Sequence, residues 1–107
     1  MLIVAGTLTV DPAQRDEFLR QRLPSTVATR DDPACLDHVL ALDPVDPARL
    51  HVFERWETAD ALERHLAESS STGLGEASNP AIEVTSMDLV RYEVNEAGPL
   101  DASRSTT

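Results

Sequence analysis

The chain has 107 residues, enough for one domain and not for two. Its formal net charge of −10 argues against nucleic acid and against an anionic membrane surface, since both need clustered Lys and Arg. All nine basic residues are arginine, which removes Schiff-base, lysine general-base and P-loop chemistry.

Residues 2–10, "LIVAGTLTV", are apolar and β-branched and read as a first strand rather than a signal peptide. Asp11, Pro12 and Gln14 then supply a helix start: a cap, a first-turn proline and a capping-box partner. The first helix is expected over about residues 12–30, with Leu19, Leu23 and Val27 as its core stripe and Phe18 beside it. Pro24 removes an amide donor inside that span, so a kink or break is expected there.

"CLDHVLALD" (35–43) alternates as a second strand, with Leu36, His38, Leu40 and Leu42 on one face and Asp37, Val39 and Ala41 on the other. "PVDPAR" suits a hairpin loop. "LHVFERWE" (50–57) is a third strand with Leu50, Val52, Glu54 and Trp56 on one face, and His51, Phe53, Arg55 and Glu57 on the other. Thr58 caps a second helix that runs to about Glu68, whose apolar side carries Ala61, Leu62, His65 and Leu66. Residues 69–80 read as a loop, 81–94 as a fourth strand, and 95–107 as a disordered tail.

The order β-α-β-β-α-β is the split βαβ, ferredoxin-like pattern: one α+β domain over residues 1–94, a four-stranded antiparallel sheet with both helices on one face. The other sheet face would show Phe53, Val39 and Ala41, too apolar to leave in water. A second copy of the sheet is the expected cover, which makes the chain a homodimer. The lone cysteine, Cys35, cannot form an intramolecular disulfide, and no apolar run approaches the ~20 residues of a membrane span. A cytoplasmic protein without membrane partners is expected.

"GTLTVDPAQRDEFL", "DPACLDHVLALDP" and above all "FERWETADALERHL" resemble the antibiotic biosynthesis monooxygenase family of dimeric α+β barrels, over roughly residues 2–94. The resemblance implies a cavity between sheet and helices and, for the oxygenases of the family, oxidation of phenols, anthrones or quinols without a cofactor. It also includes a heme-degrading branch, which uses a strand-one Asn, the strand-three Trp and a His beyond the second helix. Here Trp56 is kept, but Gly6 holds the Asn position and "SSSTGLGEA" offers no His. A His-aromatic pair near the cavity mouth of many members is also missing, which suggests an open or mobile lid.

No GxGxxG, Walker or metal-ligand spacing is present, so no cofactor and no metal are expected. An electron-rich phenolate can itself give an electron to dioxygen, and the protein then needs a base, a dry cavity and positioning. The expected reaction is monooxygenation of a small phenolic, hydroquinone or anthrone-like aromatic to a quinone by molecular oxygen, in polyketide or antibiotic biosynthesis. The alternative is a non-oxidative cyclase or isomerase-like helper, or a binding module for hydrophobic metabolites.

His65, Trp56 and His38 are the candidate catalytic residues, and Glu54, Val52, Leu40 and Leu62 the candidate substrate contacts. For each there is a structural alternative. Trp56 is also the largest core side chain available, and a buried Glu54 must be paired or protonated whatever its role. Arg91 and Tyr92 face opposite ways, so only one of the two can reach the cavity.

Overall fold

The computed structural model describes residues 1–72 and 82–100. Its elements are strand β1 (Leu2–Val10), helix α1 (Arg15–Arg30), strands β2 (Cys35–Leu42) and β3 (Arg49–Trp56), helix α2 (Ala59–Thr72) and strand β4 (Val84–Glu93). The strands form one antiparallel sheet in the order β2-β3-β1-β4, and both helices pack on the same face of it. This is the expected ferredoxin-like α+β fold. The part of the expected loop beyond Thr72, the start of strand four at Ala81, and residues 101–107 of the expected tail lie outside the described residues.

Directly opposed residues of an antiparallel pair share a face. The register sets Leu2 against Trp56, Val4 against Glu54, Leu8 against Leu50, and His38 against Glu54. The helix-facing side of the sheet therefore carries His38, Glu54 and Trp56 together, as the alternation of β2 and β3 implies. Leu36 departs from its expected place. A register shift between Cys35 and Asp37 brings Cys35 opposite Trp56 and leaves Leu36 exposed. Arg91 stands opposite Val4 on the helix side, and Tyr92 opposite Ile3 on the far side.

Asp11 caps the chain reversal after β1 by accepting from the Ala13 amide at 2.9 Å, and a short 3-10 turn at Pro12–Gln14 leads into α1. Of the kink or break expected at Pro24, the break does not occur: the helix continues through it. Its core stripe also differs from expectation: Leu23 and Val27 are 54% and 57% exposed, while Phe18, Thr26 and Thr29 are buried. Successive positions four apart advance about 40° beyond a full turn, so a row starting at Leu19 winds off the face that Phe18 defines. Arg15 ties the start of α1 to the β2–β3 loop by donating to the carbonyls of Asp43 and Asp46 at 3.1 and 2.8 Å. Thr58 caps α2 as expected, accepting from the Ala61 amide at 3.1 Å.

The buried apolar residues fall into two clusters. Leu8, Val10, Phe18, Leu50 and Ile82 form one, and Leu2, Trp56, Ala61 and Leu62 the other. Gly6 lies between Leu2 and Leu8 on β1, and it is glycine for a local reason. A Cβ there would stand 1.9 Å from the Asp88 carbonyl oxygen of β4. The far face of the sheet exposes Val39, Phe53, Val90 and Tyr92, with Phe53 at 38% and Tyr92 at 51%.

Candidate active site

Between the two clusters, under the helices, lies a cavity of about 280 Å³. Its apolar walls come from Leu8, Phe18, Leu40, Val52 and, from β4, Met87 and Leu89. Helix α1 contributes Arg22, Ser25 and Thr26, and α2 contributes His65 and Leu66. On the sheet floor stand His38 and Glu54. The bare backbone at Gly6 keeps a side chain out of the middle of β1 on this side.

The polar residues touch one another in a chain. The Trp56 indole N–H donates to Glu54 Oε1 at 3.0 Å. The other carboxylate oxygen, Oε2, lies 3.6 Å from His38 Nε2, with both side chains mostly buried. His65 tilts over Trp56 with ring centroids 4.9 Å apart and meets His38 edge-on at 6.3 Å. Among the described residues His65 makes no hydrogen bond, so stacking holds its ring. The strand alternation explains the first two contacts. Glu54 and Trp56 are two residues apart on β3, and His38 is paired with Glu54 across the ladder.

Burial pulls the His38 pKa below its ordinary value. Glu54 opposes that shift, while His65 and Arg30 add to it. His38 is therefore neutral near pH 7 and can accept a proton. Its Nδ1 is buried and has no hydrogen-bond partner among the described residues. The Arg30 guanidinium donates to the His38 backbone carbonyl at 2.8 Å, which pins this point of the edge strand to α1. Burial and the carboxylates of Glu54, Asp32 and Asp37 raise the Cys35 pKa, so its thiol stays protonated and it packs as a small apolar residue against Trp56.

The structure thus brings His38, His65, Glu54, Val52 and Leu40 to one cavity. Trp56 and Leu62 lie beneath it. Trp56 is 0% exposed, so in this chain it presents no open face for an aromatic ligand to stack on and reaches the cavity only through Glu54 and His65. Arg91 is on the helix side but points to Glu63, 3.9 Å away. The alternation of polar and apolar residues gave no hint of Arg22. A charged helical residue reads as solvated, yet this one lies over the Phe18 ring with its guanidinium carbon 5.2 Å from the centroid. Among the described residues no group of three or more His, Cys, Asp or Glu side chains is placed to hold a metal ion. No helix among them is long and apolar enough to cross a membrane.

The family model described as antibiotic biosynthesis monooxygenase matches residues 1–72. The chain belongs to that family. The matched segment contains His38, Glu54, Trp56 and His65. No curated protein matches the sequence. Among solved structures, a candidate antibiotic biosynthesis monooxygenase from Deinococcus radiodurans is 23% identical, covering 94% of this chain and 98% of its own, with a TM-score of 0.70. A protein of Pseudomonas aeruginosa is 26% identical over 85% of this chain and 90% of its own, with a TM-score of 0.64. The heme-degrader MhuD of Mycobacterium tuberculosis, solved with two hemes in its active site, shares the fold at 18% identity and a TM-score of 0.70, covering 92% of this chain and 100% of its own.

Proposed function

We propose that this family member is a cofactor-independent monooxygenase, acting as a homodimer on a phenolic or anthrone-like aromatic and yielding a quinone. The observation that carries the reading is the mostly apolar cavity in which His38, Glu54 and His65 converge. Its volume of about 280 Å³ is at the low end for small-molecule sites, typically about 300–1,000 Å³, and suits a few fused rings.

In this reading the Trp56 indole steadies Glu54, whose carboxylate lies 3.6 Å from His38 Nε2 and stabilises the imidazolium once His38 has taken a proton. His38 takes a proton from the substrate and leaves a delocalised carbanion or phenolate. That anion gives one electron to dioxygen, and the resulting radical and superoxide combine to a hydroperoxide at the former C–H carbon. Loss of water leaves a carbonyl. For an anthrone the balance is one CH₂ group and one dioxygen in, one C=O group and one water out, so no outside reductant is needed. His65, reaching the same cavity from α2, holds the developing oxyanion. The apolar walls exclude water from the charged intermediates.

The test is dioxygen uptake by metal-free protein with a panel of anthrones and hydroquinones. Wild-type protein should consume dioxygen well above the spontaneous rate, and His38→Ala should lower the turnover number by about 10²- to 10⁴-fold. Uptake no faster than in buffer across the panel rejects the reading. A second reading rests on the same apolar walls, which suit a binding module or a non-oxidative cyclase equally well. Tight aromatic binding with no dioxygen consumed would support that instead.

A further inference from the structure

The cavity has a second polar feature on the wall opposite the sheet. Arg22, Ser25 and Thr26 follow one another along one face of α1, and all three line the cavity. Arg22 does not extend away from the core as a surface arginine does. Its guanidinium lies over the ring of Phe18, a buried core residue that lines the same cavity. The mechanism above makes no use of this cation, and it stands on a different element from the His38, Glu54 and His65 group.

We propose that Arg22 selects substrates bearing a carboxylate, so that the ligand is an aromatic acid held by its acidic end at α1 and by its oxidisable ring at the sheet. The inference rests on the cavity being the substrate site. A guanidinium has five N–H donors in a planar fork that matches a carboxylate. It can therefore hold an intramolecular partner and a ligand at once. Ser25 and Thr26, on the same helix face, supply hydroxyls that can donate to the same carboxylate or to a neighbouring ring oxygen. The net charge of −10 would repel an anion from most of the surface. A cation recessed in the cavity confines the attraction to the site itself, where the lower dielectric strengthens it.

The test compares two probes that differ only in this group: 1,4-dihydroxy-2-naphthoate and naphthalene-1,4-diol. Binding is measured by calorimetry without oxygen on wild-type, Arg22→Met and Arg22→Lys proteins, each checked for its fold by circular dichroism. Wild-type protein should bind the carboxylate probe at least about tenfold more tightly. Arg22→Met, which keeps the stem over Phe18, should lose that preference while its affinity for the diol stays the same. Arg22→Lys should keep part of it, because a point charge replaces the fork. Equal affinities in wild-type protein, or a preference that survives in Arg22→Met, would overturn the proposal. Dioxygen uptake separates the two readings. Carboxylate preference without uptake rejects the oxygenase and keeps this inference, and uptake without preference does the reverse.

Discussion

His38 and Glu54 show what a single pairing can do. Each would be an ordinary polar residue on a surface strand. Opposed across β2 and β3 and covered by the helices, they become a carboxylate–imidazole pair with a depressed His38 pKa. The sign of the consequence follows from linkage. The unfolded chain binds a proton at His38 as the pH falls through about 6.5, before the folded chain does. Stability should therefore fall from about pH 6.5 down to the folded pKa and stop falling below it. Urea unfolding at pH 7.5 and 5.5 should show a smaller stability difference for His38→Gln than for wild type, and equal differences would refute the assignment. Catalysis should keep its rate on acidification to a pH where an unperturbed histidine would already be charged. Much of this pair was legible beforehand, because period-two alternation puts residues 38 and 54 on the helix-facing side. Arg22 was not legible, because nothing in a sequence separates a guanidinium folded over a core phenyl ring from one in water.

The elements differ in how openly they declare themselves. β1, β3 and α2 carry their signals locally, in β-branched alternation and in the Thr58 cap, and the structure starts them where those signals stand, although α2 runs on to Thr72, past the end expected near Glu68. α1 hides its packing face because two of its three buried residues are threonines. Thr29 can be buried because its hydroxyl donates to the Ser25 carbonyl at 2.7 Å. Exposed Leu23 and Val27 look more like a core stripe than the residues that form one. Pro24 stays inside the helix at the cost of one backbone hydrogen bond, at a solvent-facing position where water can satisfy the freed carbonyl. The β1–β4 pairing depends on one residue that no periodicity would single out. Adding a single methyl group at Gly6 would drive it into the Asp88 carbonyl. Gly6→Ala should destabilise the fold by about 1–3 kcal/mol or more. Hydrogen exchange should show β4 amides losing protection first, and wild-type protection there would mean the strands adjust without cost.

For the whole molecule, the unanswered face is the far side of the sheet. Val39, Phe53, Val90 and Tyr92 form an apolar surface on a chain whose net charge otherwise favours solubility. The ion pairs Arg55–Asp37 and His51–Asp43 lie on the same side and would give a partner a fixed register. A second copy turned through a two-fold axis offers the same surface in return. Light scattering at micromolar concentration should give twice the chain mass, and Phe53→Asp should return it to one chain. A wild-type monomer would refute the homodimer.

The molecule also has an optical property that follows from its core. Trp56 is the chain's one tryptophan, sealed from water, bonded to a cavity carboxylate and stacked on a cavity imidazole. All of the protein's indole emission therefore comes from one ring at the cavity floor. A dry indole emits toward the blue, and an imidazole packed against it affects the excited state. The brightness of the native protein thus depends on where the His65 ring lies, and any molecule that enters the cavity changes the light by moving that ring. No dye has to be attached for the site to be watched.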